Sequence, residues 1–355
     1  MQTMRSGKQL LLDSRQYARE QPRVSWWCLL STLAIFIALQ AVIIFADGLS
    51  LRIAASVGAG LIIIRLFIIY HDHQHRTILK HSRFASAVMT AYGILTCNPP
   101  SIWRRSHDHH HKHNSKMYGA AIGSFPLMTV EEYHQATPAQ RRAYAATRHP
   151  LTFLFGYFTV FLYGMCLRPL LAKPRAHVDC AVALALHLLL VGALLWCGVD
   201  ILLLTMTLPL VISAMVGSYL FYAQHNFPDA RIQPSDQWDY VTAALKSSSY
   251  MRMNPVLAWI TGNIGYHHVH HLNHHIPFYR LPEAMAAMPE LQRPGTTRLT
   301  PWDVHACLRL KLWDTDQQCL VPFPPKTKIS AAYSADSFAH LSETSHDLRQ
   351  GGSHS

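Results

Sequence analysis

The chain has 355 residues, of which half are hydrophobic and 14% are charged, and its formal net charge is +11 with the histidines neutral. The apolar residues are gathered into long runs, which indicates a multi-pass membrane protein rather than soluble domains. The basic charge would suit anionic lipid headgroups or an acidic soluble partner, and the hydrophobic content argues against nucleic acid. The seven cysteines are scattered singly and predict neither a disulfide framework nor a thiolate metal site. Histidine is the unusual residue, with 24 copies.

The first third of the chain predicts a polar tail and a membrane hairpin. Residues 1–23 are too mixed and too basic for a cleaved signal peptide, and we expect them to be cytoplasmic. Two apolar runs follow, at 24–46 and 51–70, and each is long enough to span a membrane. The hairpin returns His71 to the side of the tail. Arg65, inside the second run, is expected to snorkel to the interface.

Three more apolar runs lie at 151–167, 177–197 and 201–222. Three crossings would leave the later histidines on the opposite side of the membrane. Basic residues bracket the first run at both ends, whereas the break at 198–200 carries none. The positive-inside rule therefore makes the last two runs a hairpin and the first an interfacial or re-entrant segment. His187, within the hairpin, is expected to have a packing or hydrogen-bonding role.

The predicted fold class is all-α, a multi-pass membrane protein with four transmembrane helices, one interfacial or re-entrant segment and a cytoplasmic helical cap. Residues 83–95 are too short to cross and predict an interfacial helix. Residues 116–148 predict a cytoplasmic loop with short helices. The expected divisions are a cytoplasmic tail (1–23), a membrane domain (24–290), a cytoplasmic helical extension (291–325) and a disordered tail (326–355).

Three groups of histidines stand at the spacings of helical neighbours. The first box is His71 and His75 (HxxxH), the second box is His107, His110 and His111 (HxxHH), and the third box is His267, His270 and His271 (HxxHH again). Residues three and four apart lie on one face of a helix, so each group predicts one wall of a metal site. A zinc ion usually takes about three or four protein ligands, so eight neutral imidazoles indicate two metals. Imidazole suits iron, copper, zinc and nickel, so the ligand type alone leaves the metal open.

Spacing also leaves the register open. His271, His274 and His275 spell HxxHH as well, and His109 with His113 spells HxxxH. The main alternative to a defined site is a histidine-rich loop that binds metal loosely, but three separated groups at the ends of membrane segments disfavour it. The chain has neither the HExxH motif of metalloproteases nor the Glu-x-x-His pattern of soluble di-iron bundles.

The order of these motifs resembles that of the integral-membrane fatty acid desaturases, most closely the acyl-lipid, methyl-end branch. The resemblance covers residues 61–288 and includes residues other than histidine. The matching segments are Trp103-Arg104-Arg105-Ser106-His107 at the second box, Gln224-His225-Asn226-Phe227 after the last span, and His270-His271-Leu272, Ile276-Pro277 and Leu281-Pro282-Glu283-Ala284 at and after the third box. This resemblance selects the register that makes His267, His270 and His271 the ligands.

The resemblance implies a non-haem centre of two iron ions. The implied ligands are His71, His75, His107, His110, His111, His225, His267, His270 and His271. Three polar residues stand among them and are candidates for orienting the imidazoles through the ring nitrogen not used for metal, namely Asp72, Asp108 and Asn263. The remaining histidines of these segments, which are His73, His109, His113, His268, His274 and His275, are expected not to be ligands.

By the same resemblance, the chain is expected to be an oxygen-dependent desaturase that introduces a cis double bond into a long acyl chain. Its partners would be an acyl-lipid or other acyl substrate, O2, membrane lipids and an external electron donor, either a ferredoxin or a b-type cytochrome. No nucleotide-binding fingerprint or fused cytochrome signature is evident.

Two alternatives remain at this stage. A lipid or carotenoid hydroxylase or ketolase would use the same ligands, and a metal transporter would place histidines in its cytoplasmic loops. The expected location is an integral membrane one, with both termini cytoplasmic, in the inner or plasma membrane of a bacterium or the endoplasmic reticulum of a eukaryote. Double-bond position, chain length and acyl carrier are not readable from the spacing.

Overall fold

The computed structural model describes residues 5–117 and 124–325, and the tail predicted at 326–355 lies outside them. The helices in chain order are α1 (Gly7–Ser14), α2 (Pro22–Phe45), α3 (Leu49–Gln74), α4 (Arg83–Leu95), α5 (Pro100–Lys112), α6 (Val130–Gln135), α7 (Pro138–Thr147), α8 (Pro150–Leu154), α9 (Arg168–Ala172), α10 (Val178–Cys197), α11 (Val199–Leu202), α12 (Leu208–Ala223), α13 (Tyr240–Lys246), α14 (Pro255–Ile260), α15 (His267–Leu272), α16 (Leu281–Ala287) and α17 (Pro301–Arg309). The strands are β1 (Met128–Thr129), β2 (Tyr250–Arg252), β3 (Thr296–Arg298), β4 (Leu312–Asp314) and β5 (Cys319–Val321).

Four helices of the described chain are long and apolar enough to cross a membrane, as predicted. They are Pro22–Phe45, Leu49–Gln74, Val178–Cys197 and Val199–Ala223, the last of which joins α11 to α12 through a π-helical segment. α2 and α3 form one hairpin, α10 and α11–α12 form the other, and α3 packs against α12 between them. Two-thirds of the most apolar window of α3 is buried, so α3 is the central helix of the bundle.

The two hairpins are tied together at the end away from the histidines. Arg52, in the first turn of α3, forms an ion pair of 2.7 Å with Asp200 at the start of α11. Its Nε also donates to the carbonyl oxygen of Ile43. Ile43 lies in the last turn of α2, where carbonyl groups have no N–H partner within the helix. The chain reverses between α10 and α11 at Gly198, whose φ of +143° disfavours any residue with a side chain. These contacts fix how the hairpins approach each other.

The apolar run that we predicted not to cross is a shorter helical segment. It comprises a π-helix, Tyr157–Leu167, followed by α9. The segment packs against α10 and α12. At its start Gly156 lies so close to α12 that an added Cβ would be 2.5 Å from Ser218 Oγ and 2.9 Å from the carbonyl oxygen of Ala214. The absence of a side chain at Gly156 therefore permits this packing.

The interior of the membrane bundle holds two ionisable side chains that the sequence singled out. Arg65 was expected to snorkel to the interface, and this prediction was wrong, because its side chain is buried. Its guanidinium stacks 4.1 Å from the ring centroid of Trp259 and donates to the carbonyl of Trp259 in α14. His187 has the hydrogen-bonding role that we expected, since its ring nitrogens contact Tyr157 Oη and Cys97 Sγ.

The remaining elements form a cap over the histidine-bearing ends of α3 and α12. Five of its helices begin at a residue whose side chain accepts a hydrogen bond from a backbone N–H of the first turn. Thr129 and Thr137 form full capping boxes, and Asp239, Asn254 and Thr300 each accept one such bond. Two small sheets, of order β1-β4-β5 and β2-β3, join distant parts of the cap. Strands of two or three residues carry no readable alternation, so the sequence did not predict them.

The N-terminal segment packs onto this cap. Leu10 and Tyr17 belong to the largest core cluster. The buried hydroxyl of Ser14 accepts from Asn273 Nδ2 at 2.9 Å, directly after α15. Arg5 bonds both Glu290 and Asp13. Residues 5–21, predicted only as a polar tail, therefore close over the loop that follows the third histidine box.

We expect Gly156→Ala to destabilise the bundle, because the new methyl group would meet the backbone of α12, and overpacking typically costs about 1–3 kcal/mol. Gly192→Ala is the matched control, since nothing lies within 4 Å of a Cβ at Gly192. Thermal unfolding of the purified proteins in the same detergent should show a lower midpoint for Gly156→Ala alone. Equal midpoints would show that the contact with α12 relaxes without cost.

Candidate metal centre

The nine histidines predicted as ligands lie in two compact groups at the junction of bundle and cap. Within each group one ring nitrogen from every histidine lies within 4.8 Å of the others. Cluster one comprises His71, His75, His107, His111 and His270, and cluster two comprises His110, His225, His267 and His271. Eight of these side chains are buried, and His225 is intermediate in exposure. The structure therefore brings all the predicted residues together, from four separate parts of the chain.

Helix geometry divides the two HxxHH boxes between the clusters. Consecutive helical residues point about 100° apart, so adjacent histidines cannot face the same point. On α5, His107 and His111 face cluster one while His110 faces cluster two. The order is reversed on α15, where His267 and His271 face cluster two and His270 faces cluster one. We had expected each box to form one wall. The first box, His71 and His75, does face one cluster, but each HxxHH box contributes to both clusters.

The nitrogens of cluster two form a closed ring. The Nε2–Nε2 distances are 3.1 Å for His110–His225, 2.9 Å for His225–His267, 3.1 Å for His267–His271 and 3.2 Å for His271–His110. Imidazole nitrogens about 2.0–2.1 Å from one metal ion would be roughly 2.9–3.4 Å apart. A neutral imidazole carries only one N–H. Where Nδ1 carries it and donates a hydrogen bond, Nε2 has a lone pair and no hydrogen. Four Nε2 lone pairs directed at one point fit a shared cation.

Cluster one has the same spacing with a fifth ring. His107 Nε2 lies 3.0 Å from His71 Nε2 and 3.1 Å from His111 Nε2, which is 3.1 Å from His270 Nε2. The Nε2 of His75 is buried and has no hydrogen-bond partner within the described residues. A buried polar atom without a partner is costly unless a ligand satisfies it, so His75 also fits a metal at this point.

Burial favours the neutral form of eight of these imidazoles. Desolvation lowers the pKa of His225 to about 4. Seven other ligands outside the membrane helices have a pKa well below the usual range of histidine, mainly because of desolvation and to a smaller extent because of the neighbouring imidazoles. They are His75, His107, His110, His111, His267, His270 and His271. Metal binding requires the unprotonated ring. The site therefore supplies ligands in the required form at neutral pH.

Three ligands are oriented through their Nδ1 atoms. Asp72 Oδ1 lies 2.9 Å from His71 Nδ1, Ser124 Oγ lies 2.6 Å from His110 Nδ1, and His225 Nδ1 lies 3.0 Å from the carbonyl oxygen of Ser247. Such contacts fix the ring orientation and leave Nε2 for the metal. Ser124 and Ser247 were not anticipated, because a serine in a loop carries no spacing signal relative to a distant box.

The other two polar candidates are placed differently. Asn263 donates from Nδ2 to the carbonyl of Phe278 at 3.3 Å, and Asp72 accepts from the N–H of the same residue at 2.7 Å. Together they clamp the chain after the third box to the end of α3. Asp108 is half-buried on α5, and no hydrogen bond joins its carboxylate to a cluster histidine within residues 5–117 and 124–325.

Trp103 forms an apolar wall of cluster one. Its ring stacks on His107 with centroids 4.4 Å apart and meets His71 and His75 edge-on at 5.4 and 5.6 Å. The sequence used this tryptophan only as a motif marker. Its position shows that it also keeps water from one side of the ligands.

The start of α5 is held by a polar group from α10. Asp179 accepts from the backbone N–H of Ser101 at 2.8 Å and from its hydroxyl at 2.5 Å, and His177 Nδ1 lies 3.1 Å from the same hydroxyl. The thiol of Cys180, the third member of this His-Asp-Cys group, donates to the carbonyl of Met165. The group therefore has internal partners and connects the second box to the membrane bundle.

The neighbouring histidines are outside both clusters. His268 is buried with Nε2 at 3.0 Å from the carbonyl of Leu291, and His73 contacts the carbonyl of Ile78 and Ser86 Oγ. His109 and His113 stack on each other with centroids 4.0 Å apart. The alternative register, His271 with His274 and His275, is not assembled into one site.

Comparison with known proteins identifies the family. The model of the family described as fatty acid desaturase matches residues 48–302, about 72% of the chain. The chain belongs to the fatty acid desaturase family. It is similar to a fatty acid desaturase of Bacillus subtilis, at 32% identity over 334 residues that cover 93% of this chain and 94% of the relative. It is also similar to an sn-1 oleoyl-lipid 12-desaturase of Synechocystis, at 25% identity over 63% of this chain and 64% of the relative.

Family membership supports the desaturase function among those left open by the sequence. The protein is a fatty acid desaturase, which is an oxygen-dependent oxidoreductase acting on acyl chains. It is a membrane protein with four apolar helices of spanning length in its described part. Its two histidine clusters are compatible with iron.

Asp72→Asn should weaken metal binding about 10-fold or more, because loss of an outer carboxylate typically costs 10–100-fold in affinity or activity. The amide can still contact His71 but no longer supports its ring with a negative charge. Metal release to a chelator, followed over time in the purified protein, measures the effect. Asp108→Asn is the matched control and should behave as wild type; equal release from both variants would exclude a special role for Asp72.

His225→Ala should remove about one metal equivalent per chain, since cluster two would keep only three of its four nitrogens. Elemental analysis of the purified protein measures this loss. His268→Gln, which preserves a donor to Leu291 in the same buried region, should retain the full metal content. Full retention by His225→Ala would remove His225 from the ligand set.

Proposed function

We propose that this enzyme introduces a cis double bond into a long acyl chain of a membrane lipid, using O2 and two iron ions. The observation that carries this proposal is the pair of buried, neutral imidazole clusters at the ends of membrane helices in a fatty acid desaturase. Iron with oxygen would supply the oxidising power that unactivated C–H bonds require and that side-chain acids and bases lack.

The roles proposed for the residues follow from the two clusters. Cluster one would hold one iron through His71, His75, His107, His111 and His270, and cluster two would hold the other through His110, His225, His267 and His271. Asp72, Ser124 and the carbonyl of Ser247 orient three of these rings. Trp103 excludes water from one side of cluster one, and Phe221 packs 5.2 Å from the ring of His110 beside cluster two.

A lipid-bound acyl chain is the substrate that we propose. The relative from Synechocystis is named for an sn-1 oleoyl-lipid, which supports an acyl chain esterified in a membrane lipid. The position of the clusters at one end of the membrane helices also favours a substrate that enters from the bilayer. We assign no double-bond position or chain length.

The orientation that we propose places the cap and both termini in the cytoplasm. The C-terminal ends of α3 and α12 lie at one end of the bundle, beside both clusters, and Lys and Arg flank this end more than the reversal at Gly198. The Tyr157–Leu167 segment would then be re-entrant or interfacial. The functional divisions would be the tail 1–23, the membrane domain 24–290 and the extension 291–325.

The reaction also needs two electrons from outside the chain. We propose a soluble ferredoxin or a b-type cytochrome as donor, because the net charge of +11 suits an acidic carrier.

Expression in a host with a simple fatty acid profile tests the function. Gas chromatography with mass spectrometry of the extracted lipids should show new double bonds, and His270→Ala, which removes a nitrogen from cluster one, should abolish them. His113→Ala, outside both clusters, is the matched control and should leave the product unchanged.

The products distinguish this function from its relatives. Hydroxylated or ketone-bearing chains in place of unsaturated ones would overturn the proposed outcome of the reaction. Double bonds formed equally by His270→Ala would overturn the proposed ligand set. Analysis by lipid class and acyl position shows whether the modified chain is esterified in a glycerolipid.

A further inference from the structure

Two histidines that belong to neither cluster connect cluster one with the protein surface. His275 is exposed, and its ring packs on that of His274 with centroids 4.3 Å apart. His274 is half-buried, and its ring centroid lies 4.8 Å from that of His75 and 4.9 Å from that of His111. The rings therefore form an unbroken series from water to two ligands of cluster one.

The series continues to cluster two. The ring of His111 stacks on that of His271 with centroids 4.4 Å apart and planes 28° apart. His111 belongs to cluster one and His271 to cluster two. The surface ring of His275 is thus connected by ring contacts with both proposed iron sites.

The loop that carries the two outer rings is held in place. His275 N–H donates to Asn273 Oδ1 at 3.1 Å, and Asn273 Nδ2 donates to Ser14 Oγ in the N-terminal segment. The hydroxyl of Thr77, two residues after His75, donates to the carbonyl of His274 at 3.1 Å. The contact of His274 with the ligands is therefore supported from two sides of the loop.

Exposed cations lie on the segments that carry the adjoining ligands His75 and His111. Arg76, Lys80 and Lys112 are all exposed, and Arg76 and Lys112 directly follow the ligands His75 and His111. Burial lowers the pKa of His275, and the nearby ammonium group of Lys80 lowers it further. The pKa of His274 is lowered mainly by burial, and the nearby Lys112 adds a smaller contribution.

A nearby carboxylate does not cancel this charge. Glu20 is half-buried and accepts from the backbone N–H of Leu79 at 2.7 Å. Glu20 keeps its negative charge, but it is one half-buried carboxylate against three exposed cations, Arg76, Lys80 and Lys112. The surface around His275 is one that attracts an acidic protein.

We infer that His274 and His275, with Arg76, Lys80 and Lys112 around them, form the surface at which an acidic ferredoxin docks and delivers electrons to the metal centre. This inference rests on the proposed function, since it needs a redox-active metal pair. The rate of electron tunnelling falls steeply with distance, and it is higher through packed atoms than across an empty gap of the same length. A donor therefore transfers fastest where the ligands lie closest to the surface through contacting groups.

The electrons balance without any change in the histidines. Each reduced ferredoxin is oxidised by one electron, which reduces one ferric ion of the pair to ferrous, and two ferredoxins complete the reduction. His274 and His275 remain neutral imidazoles throughout and act only as the medium between donor and ligands. Charge on the surrounding residues affects the encounter, whereas the rings affect transfer within the complex.

The test uses the full-length, iron-loaded enzyme in nanodiscs of zwitterionic phosphatidylcholine, mixed anaerobically with a reduced plant-type [2Fe–2S] ferredoxin. Reoxidation of ferredoxin is followed by stopped-flow absorbance. Lys80→Glu combined with Lys112→Glu should lower the second-order rate constant about 10-fold or more at low salt, and the difference should shrink towards none at about 0.5 M salt. Arg142→Glu, an exposed reversal on α7, is the matched control and should stay within roughly 2-fold of wild type.

The rings are tested at saturating ferredoxin, where docking no longer limits the rate. His274→Ala should lower the limiting rate about 10-fold, and His274→Phe, which restores a ring at the same contact, should recover most of it. Both variants should keep the full iron content. Loss of iron from either variant would make His274 a ligand and overturn its role as a medium.

Two further outcomes separate this inference from the proposed function. Dithionite with a neutral mediator at high salt should reduce every variant as fast as wild type. If wild type is reduced by dithionite but the charge reversals slow ferredoxin no more than Arg142→Glu does, the docking surface is wrong and the proposed function stands. If wild type cannot be reduced at all, the proposed function fails and this inference fails with it.

Discussion

The structure depends on burying nine imidazoles in a small volume without leaving their nitrogens unsatisfied. Desolvation disfavours a charged imidazole, and a neutral ring has one lone pair to direct inward. Without a cation those lone pairs would face one another at about 3 Å, a cost that a metal ion removes. The same burial that would destabilise an empty site therefore makes a loaded one strong, and folding and metal binding are expected to be coupled.

Sharing each HxxHH box between two clusters makes assembly of the centre all-or-none. α5 and α15 each contribute to both clusters, so neither cluster can form before both helices are in place. α5 is held by Asp179 from α10, and the loop after α15 is clamped by Asp72 from α3 and closed over by the N-terminal segment. These supports come from both membrane hairpins. The cap is thus positioned by the bundle as a whole, and residues far apart in sequence act on the same ligands.

Much of this could be predicted from the sequence, because the signals are strong and local. A run of about 20 apolar residues predicts a spanning helix independently of the tertiary contacts of that helix. Histidines at helical spacing predict a shared site. What could not be predicted depends on tertiary contacts: the partners Ser124 and Ser247, the three-residue strands of the cap, and the burial of Arg65 under Trp259. The division of each box was hidden for another reason, since spacing alone does not show that two metal sites lie on either side of one helix.

The two clusters differ in their surroundings, and this difference suggests a division of work between them. Cluster one is walled by Trp103 on one side and approaches the surface through His274 on another. Cluster two is bordered by Phe221 and is connected with the surface rings through ligands of cluster one, as in the stack of His271 on His111. Electrons that arrive at His275 would therefore reach cluster one first and cross to cluster two by a stacked pair of ligands. A lipid chain, which needs apolar surroundings, would be kept apart from the basic surface that attracts the donor.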